Sequence, residues 1–423
     1  MNFKKTTLSN GLRIIIVPMK NNPAVTVLVM VETGSNYETK TENGLSHFLE
    51  HMCFKGTVKR PKVTDIAKEL DSLGAQNNAF TSNEFTGYYA KAAKKHFSKL
   101  FEIISDLYLN PTLPADDIEK ERGVILEEIN MYEDLPQRKV GYVLSELMYG
   151  DVPAGRSTLG PPANIKRFTR SDFVNYRSRH YVASKTIVIV AGDVSGKAVL
   201  NEVKKRFKDV STDKTLSKPA VKEKQKSPGL LVHEKKTDQA HIILAFRSYS
   251  AKDKRIPALT LLAEILGQGM SSRLFHKLRD EMGACYYVRA EHDGGTDHGV
   301  FAISVGVNTA RTKEVVEVIL EECRKLSKTF VSNDELQKAK EHYVGHLYLG
   351  LETTDSVAEF YAVQEIIAGK LKNPQELEKN IRKVTAKDVM RVAKDIFRDD
   401  KLNLAIVGSI MDKKALKKVL SFK

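Results

Sequence analysis

The sequence has few cysteines and lacks an apolar run long enough to cross a membrane. Its three cysteines, Cys53, Cys285 and Cys323, are far apart and odd in number, so they give no disulfide framework and indicate an intracellular setting with reduced thiols. The early apolar stretch at residues 12–17 is interrupted by Arg13 and is too short for a signal sequence or a membrane span. We therefore expect a cytoplasmic protein that is not embedded in a membrane.

The charge is strongly positive, but it is not concentrated in one region. The net charge is +14 and the pI is about 9.3, with the basic residues interleaved among 53 acidic ones along the whole chain. A nucleic-acid partner would favour a basic patch or stripe, so we expect no nucleic-acid partner. A solvated basic surface is the simpler interpretation, and whether it selects acidic peptides stays open.

The chain contains an internal duplication. Residues 164–194 align without a gap with residues 380–410, an offset of 216, and both copies run from a Thr and an Asp in an amphipathic segment into a β-branched stretch that ends at a glycine. The same offset aligns residues 24–31 with residues 240–247. The repeat predicts two copies of one architecture.

Length and pattern set the predicted domain organisation. A chain of 423 residues with 42% hydrophobic content can bury two cores. We expect an N-terminal domain at residues 1–210, an exposed linker rich in Lys, Ser and Pro at residues 211–229, and a homologous domain at residues 230–423. Strands and helices do not alternate regularly, so the predicted class is α+β, with helices packed on a mainly antiparallel sheet in each domain.

The most informative motif is the pentapeptide His-Phe-Leu-Glu-His at residues 47–51. On a helix, His47 and His51 lie one turn apart on the same side, with Glu50 between them. Two imidazoles at this spacing can hold a zinc ion, and the carboxylate can take a proton from a zinc-bound water. Asn43 is the predicted N-cap of this helix and Gly56 its predicted C-terminal stop.

The duplication gives this motif an internal comparison. At the offset of 216, residues 47–51 align with Ala-Glu-Ile-Leu-Gly at residues 263–267. The second copy therefore carries neither histidine. Duplication followed by division of labour accounts for this difference, and we expect the second domain to lack the metal site.

A zinc ion held by two histidines needs a third protein ligand. The acidic helix expected from about residue 114 to 133 carries Glu121 and Glu128, which are two helical turns apart and face the same side. We choose Glu128 as the third ligand and give Glu121 a supporting role, orienting a histidine ring or positioning the water.

Together these residues resemble the pitrilysin/insulinase family of zinc metallopeptidases with the inverted His-x-x-Glu-His motif, in its short-chain branch of bacterial processing-peptidase-like proteins and the catalytic subunit of the mitochondrial processing peptidase. The resemblance covers nearly the whole chain, including Gly-Leu-Ser-His-Phe-Leu-Glu-His at residues 44–51 and Phe-Lys-Gly-Thr at residues 54–57. It implies zinc bound by His47, His51 and Glu128, with Glu50 as the general base. It also implies two such chains around a closed chamber.

Two further segments resemble the substrate-binding parts of the family. Asn78, Ala79 and Phe80 are similar to an edge strand to which a peptide adds as an extra strand. Arg279 and Tyr286 are similar to an Arg and Tyr pair that hydrogen-bonds the substrate carbonyl and stabilises the oxyanion. Because both the motif and the pair occur on one chain, a homodimer is expected, and a heterodimer with a homologous subunit stays open.

The predicted function is zinc-dependent endopeptidase activity on short or unfolded peptides inside an enclosed chamber, with Glu50 activating the zinc-bound water. The alternative is a non-catalytic or partner-dependent subunit of a heterodimeric processing peptidase, which would share the fold without independent activity. An intact motif and third carboxylate favour the enzyme.

Overall fold

The computed structural model describes residues 2–410 and 412–422. Its strands are β1 (Lys4–Thr7), β2 (Arg13–Pro18), β3 (Ala24–Val31), β4 (Gln76–Thr81), β5 (Thr86–Ala93), β6 (Thr186–Gly192), β7 (Gly229–His233), β8 (Gln239–Ser248), β9 (Cys285–Gly294), β10 (Gly299–Asn308) and β11 (Leu402–Val407). The predicted α+β class is confirmed.

The two halves of the chain also contain similar series of α-helices. They are α1 (Leu45–Cys53), α2 (Val63–Ser72), α3 (Phe97–Leu109), α4 (Ala115–Asp134), α5 (Pro136–Tyr149), α6 (Pro162–Arg167), α7 (Arg170–His180), α8 (Gly196–Arg206), α9 (Ile256–Gly267), α10 (Thr312–Lys328), α11 (Asn333–Leu349), α12 (Thr354–Val363), α13 (Pro374–Arg382), α14 (Ala386–Ile396) and α15 (Lys413–Val419). The segments Phe275–Glu281 and Gln364–Ala368 are π-helical.

The first sheet has the strand order β1-β2-β6-β3-β5-β4. Strands β2 and β6 are parallel, and all other neighbours are antiparallel. The central strands β3 and β6 are rich in Val and Ile and buried along almost their whole length, as expected for β-branched residues between two helical layers. Strand β4 lies at the edge, so one side of its backbone has no strand partner in the sheet.

The second sheet repeats this arrangement. Its order is β7-β11-β8-β10-β9, with β7 and β11 parallel and the other neighbours antiparallel. Each strand of the second sheet has a counterpart at the same place in the first sheet, which has β1 as an additional edge strand. The helices before β6 and β11 also match, because Thr169 with Asp172 and Thr385 with Asp388 form the same reciprocal capping box. The duplication inferred from the sequence is thus visible in the topology.

The chain folds into two compact units, each assembled from three segments. The first contains the residues up to Ile129, Arg156–Pro219 and Tyr348–Pro374, and the second contains Asn130–Gly155, Ala220–Leu347 and the residues from Gln375 onward. Each half of the sequence therefore contributes one segment to the unit formed mainly by the other half. The division into domains at residues 1–210 and 230–423 follows the sequence repeat and remains a prediction.

The exchanged segments are counterparts at the offset of 216. Helix α5 packs on β7, β8 and β11 of the second unit through Val140, Val143, Leu144 and Met148. Helix α12 packs on β3 and β6 of the first unit, with Val357, Ala358, Tyr361 and Ala362 fully buried. Each sheet thus depends on a helix from the other half to cover one face.

This exchange predicts that the halves cannot fold separately. A fragment of residues 1–210 lacks α12, so the sheet face that includes Thr26, Leu28 and Met30 loses its apolar cover. Produced alone, it should self-associate and show no cooperative unfolding by circular dichroism. Production together with residues 211–423 is the matched control and should restore a soluble, cooperatively unfolding complex. A monomeric fragment 1–210 that unfolds cooperatively on its own would contradict this view of the fold.

Candidate metal centre

Helix α1 begins at a buried carboxylate that lies outside the helix. Glu38 is 2% exposed and accepts hydrogen bonds from the backbone N–H groups of Gly44 (2.9 Å) and Ser46 (2.6 Å) and from Nδ2 of Asn43 (3.0 Å). It therefore satisfies N–H groups that a helix N-terminus otherwise leaves unpaired. Burial, opposed by these hydrogen bonds, raises the pKa of Glu38 to about 7.

The prediction that Asn43 caps this helix is wrong. The N-cap is Gly44, at φ +102°, and Asn43 donates to Glu38 and to the carbonyl of Ser157 instead of accepting from the helix. A Cβ at position 44 would lie 2.7 Å from the carbonyl oxygen of Leu159, so the glycine is required both by its backbone angle and by this contact. The helix ends at Cys53, with Phe54 as C-cap, before the predicted stop at Gly56.

The apolar face of α1 holds the motif in place. Leu45, Phe48, Leu49 and Met52 are at most 1% exposed, as their helical spacing predicts. Because this face is fixed in the core, His47, Glu50 and His51 project together from the other side of the helix.

The two motif histidines converge with Glu128 of α4. Oε2 of Glu128 lies 3.5 Å from Nε2 of His47 and 3.7 Å from Nε2 of His51, and one ligand atom from each residue lies within 4.8 Å of the others. Tetrahedral zinc with bonds of about 2.0–2.1 Å would place neighbouring ligand atoms about 3.4 Å apart. The three side chains therefore fit a zinc ion.

Their electrostatics fit a cation as well. Burial, with the nearby charge of His51, lowers the pKa of His47 to about 3, which keeps the imidazole neutral as a ligand must be. Burial raises the pKa of Glu50 and of Glu128. Glu50, Glu121 and Glu128 together with Lys55 would carry a net charge of −2 when ionised, which a divalent cation balances.

Glu121 supports His51 from the same face of α4. Its Oε1 lies 2.9 Å from Nδ1 of His51, and its Oε2 lies 2.5 Å from Nζ of Lys55. Burial opposes ionisation of this carboxyl, but the hydrogen bonds from His51 and Lys55 outweigh it and lower the pKa of Glu121. Burial likewise opposes protonation of His51, but its bond to Glu121 and the three nearby carboxylates raise the pKa of His51.

An ionised Glu121 accepts a hydrogen bond from the N–H group at Nδ1 of His51, and this tautomer leaves Nε2 free to bind a metal. His47 differs in this respect, because its buried Nδ1 has no hydrogen-bonding partner among the described residues.

Glu50 is held by Thr81, whose contact with this carboxylate was not predicted from the sequence. Oγ1 of Thr81, at the end of β4, donates to Oε2 of Glu50 over 2.6 Å. This bond favours the ionised carboxylate, although burial raises the pKa of Glu50 overall. Thr81 follows Phe80 in the segment that resembles a substrate strand, and this position is the one signal that could have identified it.

Strand β4 presents its side chains alternately to the two faces of the sheet. Ala79 and Thr81 lie on the face that carries α1, whereas Asn78 and Phe80 lie on the face that carries α12, as the pairings of Asn78 with Tyr89 and of Phe80 with Gly87 show. The three residues of β4 that are predicted to bind substrate thus share the free edge of the sheet but not one face.

Arg279 and Tyr286 lie in the second unit and contact each other. The guanidinium of Arg279 is 5.3 Å from the ring centroid of Tyr286 and 4.9 Å from that of Phe275. Both distances are in the cation–π range. Tyr286 is 75% exposed, so its hydroxyl is accessible within this unit. Phe275 was not identified from the sequence.

The fold is shared with solved proteins. A protease from Helicobacter pylori superimposes with a TM-score of 0.88 at 25% identity, over 96% of this chain and 99% of that chain. A Pseudomonas fluorescens protein described as a peptidase M16 inactive domain superimposes with a TM-score of 0.89 at 17% identity, over 98% of this chain and 100% of that one. This second similarity concerns the fold alone. The fold is thus one that occurs in a protease, and in this chain it brings three possible metal ligands together.

The sequence comparison specifies the family. The family described as Insulinase (Peptidase family M16) matches residues 13–162, and the Peptidase M16 inactive domain matches residues 167–343. The uncharacterized zinc protease YmxG of Bacillus subtilis is 34% identical over 94% of this chain and 96% of its own length. An uncharacterized zinc protease of Streptomyces coelicolor is 30% identical, with 97% and 91% covered. The chain belongs to the M16 peptidase family, as the motif predicted, and the relatives agree with zinc as the cofactor.

The inactive-domain match agrees with the absence of the motif from the second copy, where residues 263–267 are largely apolar and Ala263, Ile265 and Leu266 are at most 4% exposed.

Among the described residues, no helix combines the length and the apolar character that a bilayer crossing requires.

The contact between Glu121 and His51 predicts a measurable effect on metal affinity. Glu121→Gln removes the charge that fixes the His51 ring, so zinc affinity should fall about 10- to 100-fold in chelator-competition titrations. Glu119→Gln, on the same helix but exposed and paired with Arg122, is the matched control and should bind zinc like the unchanged protein. Equal affinities for the two variants would show that Glu121 does not support the site.

The cap by Glu38 predicts a stability effect separate from metal binding. Glu38→Gln places an amide N–H₂ against N–H donors at the start of α1, so the free energy of unfolding should fall by about 1–3 kcal/mol in urea denaturation of the metal-free protein. Glu127→Gln, an exposed substitution on α4, should change it by less than about 0.5 kcal/mol. A Glu38→Gln protein as stable as the control would disprove the capping role.

Proposed function

We propose that this protein is a zinc-dependent endopeptidase with His47, His51 and Glu128 as the metal ligands and Glu50 as the general base. The observation that carries the proposal is the approach of Oε2 of Glu128 to both Nε2 atoms, beside a carboxylate that is not needed as a ligand. Three protein ligands with an open fourth position are typical of catalytic zinc. A structural zinc site would use a fourth protein ligand.

Zinc at this position would polarise the scissile carbonyl and acidify the attacking water. Glu50 accepts the proton of that water and then donates it to the leaving amine. The hydrogen bond from Thr81 holds Oε2 of Glu50 during both transfers, and burial of the carboxyl favours holding the proton between them. Glu121 keeps His51 in the orientation that binding requires.

The peptide is proposed to bind along the free edge of β4. Main-chain N–H and C=O groups there can extend the sheet by one strand, and Asn78, Ala79 and Phe80 follow that edge towards Thr81. This mode recognises backbone rather than a particular sequence, so it suits short or unfolded peptides. An enclosed chamber would restrict access to the same substrates.

Arg279 and Tyr286 are proposed to stabilise the oxyanion. The guanidinium of Arg279 lies over the ring of Tyr286 within the second unit, so one contact connects a cationic donor with the side chain that carries a hydroxyl donor. They would be supplied by this chain or by a second copy, in a homodimer or with a homologous partner. We also propose that the protein acts in the cytoplasm.

Glu50→Gln tests the mechanism most directly. It preserves shape but removes the base, so kcat on a fluorogenic peptide should fall about 10²- to 10⁴-fold, while zinc content and the unfolding transition stay unchanged. Glu42→Gln, a substitution outside the metal centre, is the control and should retain turnover.

Two results would contradict the proposal. Full turnover by a folded, zinc-loaded Glu50→Gln protein would reject Glu50 as the base. Absence of cleavage by the zinc-loaded, unchanged chain, with activity appearing only when a homologous subunit is added, would favour the partner-dependent alternative.

A further inference from the structure

The second unit contains a pair of histidines with the same spacing as the pair in the motif of the first unit. His342 and His346 of α11 are four residues apart, and their ring centroids are 4.3 Å apart. The same spacing separates His47 and His51, whose ring centroids are 4.7 Å apart. Residues four apart lie on one side of a helix, and two imidazoles at this spacing can bind one metal ion.

A largely buried carboxylate on a neighbouring helix fixes one of these rings. Oε2 of Glu264, on α9, lies 2.6 Å from Nδ1 of His342, and the side chain of Glu264 is only 11% exposed. Burial raises the pKa of Glu264, although the hydrogen bond with His342 opposes this rise. A carboxylate at Nδ1 selects the tautomer whose Nε2 is free to bind a metal.

The arrangement matches the first centre with the roles of the two helices exchanged. In the first unit the histidines lie on α1 and the supporting Glu121 lies on α4. In the second unit the histidines lie on α11 and the supporting carboxylate lies on α9. At the offset of 216, residues 333–349 of α11 align with residues 117–133 of α4, and residues 261–267 of α9 align with residues 45–51 of α1. Matching helices of the two repeats therefore combine a histidine pair with a carboxylate in both units.

The free ring nitrogen of His342 lies beside a glycine that leaves it accessible. A Cβ at Gly269 would lie 2.9 Å from Nε2 of His342, so a side chain at this position would crowd that atom. Nε2 of His342 forms no hydrogen bond within the described part of the chain, and the exposed ring of His346 forms none there either. A hydrated ion could therefore approach both rings from solvent.

The surrounding charges are compatible with a bound cation. His346 lies in the last turn of α11, where the helix dipole favours positive charge. The charge of Arg289 acts on Glu264, but Arg289 is itself paired with Glu291 at 3.2 Å. The positive charge of this arginine is thus balanced by a carboxylate of its own.

We propose that His342 and His346 bind a divalent transition-metal ion and that Glu264 orients the ring of His342 for this purpose. Imidazole ligands favour ions such as zinc over magnesium or calcium. The ion would not be catalytic, because Gly345 precedes the second histidine where the first motif has Glu50, so the base is missing. The inference does not rest on the proposed function, and its histidines lie outside the aligned segment in which the motif is absent.

Zinc stoichiometry of the full-length protein tests the site. After removal of metal, calorimetric titration with zinc chloride should show two binding events in the unchanged protein and one in the double variant His342→Gln/His346→Gln. The double variant His47→Gln/His51→Gln should retain the second event, which separates this site from the first centre. Urea unfolding of each metal-free variant checks that the chains are folded.

The supporting carboxylate adds a quantitative expectation. Glu264→Gln keeps an acceptor for Nδ1 of His342 but removes the charge, so the affinity for the second zinc ion should fall about 10- to 100-fold. His276→Gln is the matched control, because it changes another histidine of the second unit, one that is paired with Glu281 at 3.2 Å. It should leave both binding events unchanged.

Binding events that His342→Gln/His346→Gln leaves unaffected would overturn the proposal, whether one, two or none is observed. A second event that His276→Gln weakens to the same extent would show that the ion is held by scattered surface histidines, and would also overturn it. Failure of the first centre has a different signature. The unchanged protein would then show one event, which His47→Gln/His51→Gln preserves and His342→Gln/His346→Gln removes.

Discussion

The candidate metal centre of the first unit depends on one electrostatic constraint. Its acidic side chains are partly removed from water, so their negative charge must be compensated. Glu50, Glu121 and Glu128 lie close to the imidazoles of His47 and His51. The nearby cation is Lys55, which is paired with Glu121. Burial of carboxylates is costly unless their charge is matched, and the raised pKa values of Glu50 and Glu128 express that cost. A divalent ion at this position would resolve the conflict, so the electrostatics of these carboxylates favour metal binding.

The supporting residues divide this task between separate parts of the chain. Glu38 sets where the motif helix begins, Glu121 orients one imidazole, and Thr81 holds the proposed base. These contacts come from a loop, a long helix and an edge strand. The centre is consequently built by the tertiary structure of the first unit, and the pentapeptide supplies only its central part.

Sequence reasoning succeeded where the information is local. The spacing of His47 and His51 on a helix, the two-turn spacing of Glu121 and Glu128, and the offset of 216 between repeats all follow from periodicity, and the structure shows the corresponding helices and paired sheets. The motif helix and the acidic helix could be inferred in the same way, with ends shifted by a few residues.

It failed where a distant side chain replaces a local one. Asn43 has the right chemistry for an N-cap, but Glu38 reaches the same N–H groups and displaces it. The contact of Thr81 with Glu50 spans 31 positions. Lys55, just after α1, contacts Glu121 of α4, with α2 and α3 between them in the sequence. Neither has a periodic signature. The exchange of α5 and α12 was missed for a related reason, since helical patterning shows that a face is apolar but not which sheet it covers.

That exchange also has a consequence during protein synthesis. The last strand of the first sheet ends at Gly192, yet one face of the sheet is covered only after α12, which ends at Val363, has emerged. At about 5–20 residues per second, the nascent chain would carry an uncovered apolar face for roughly ten seconds or more. Ribosome-associated chaperones would have a defined and temporary surface to protect.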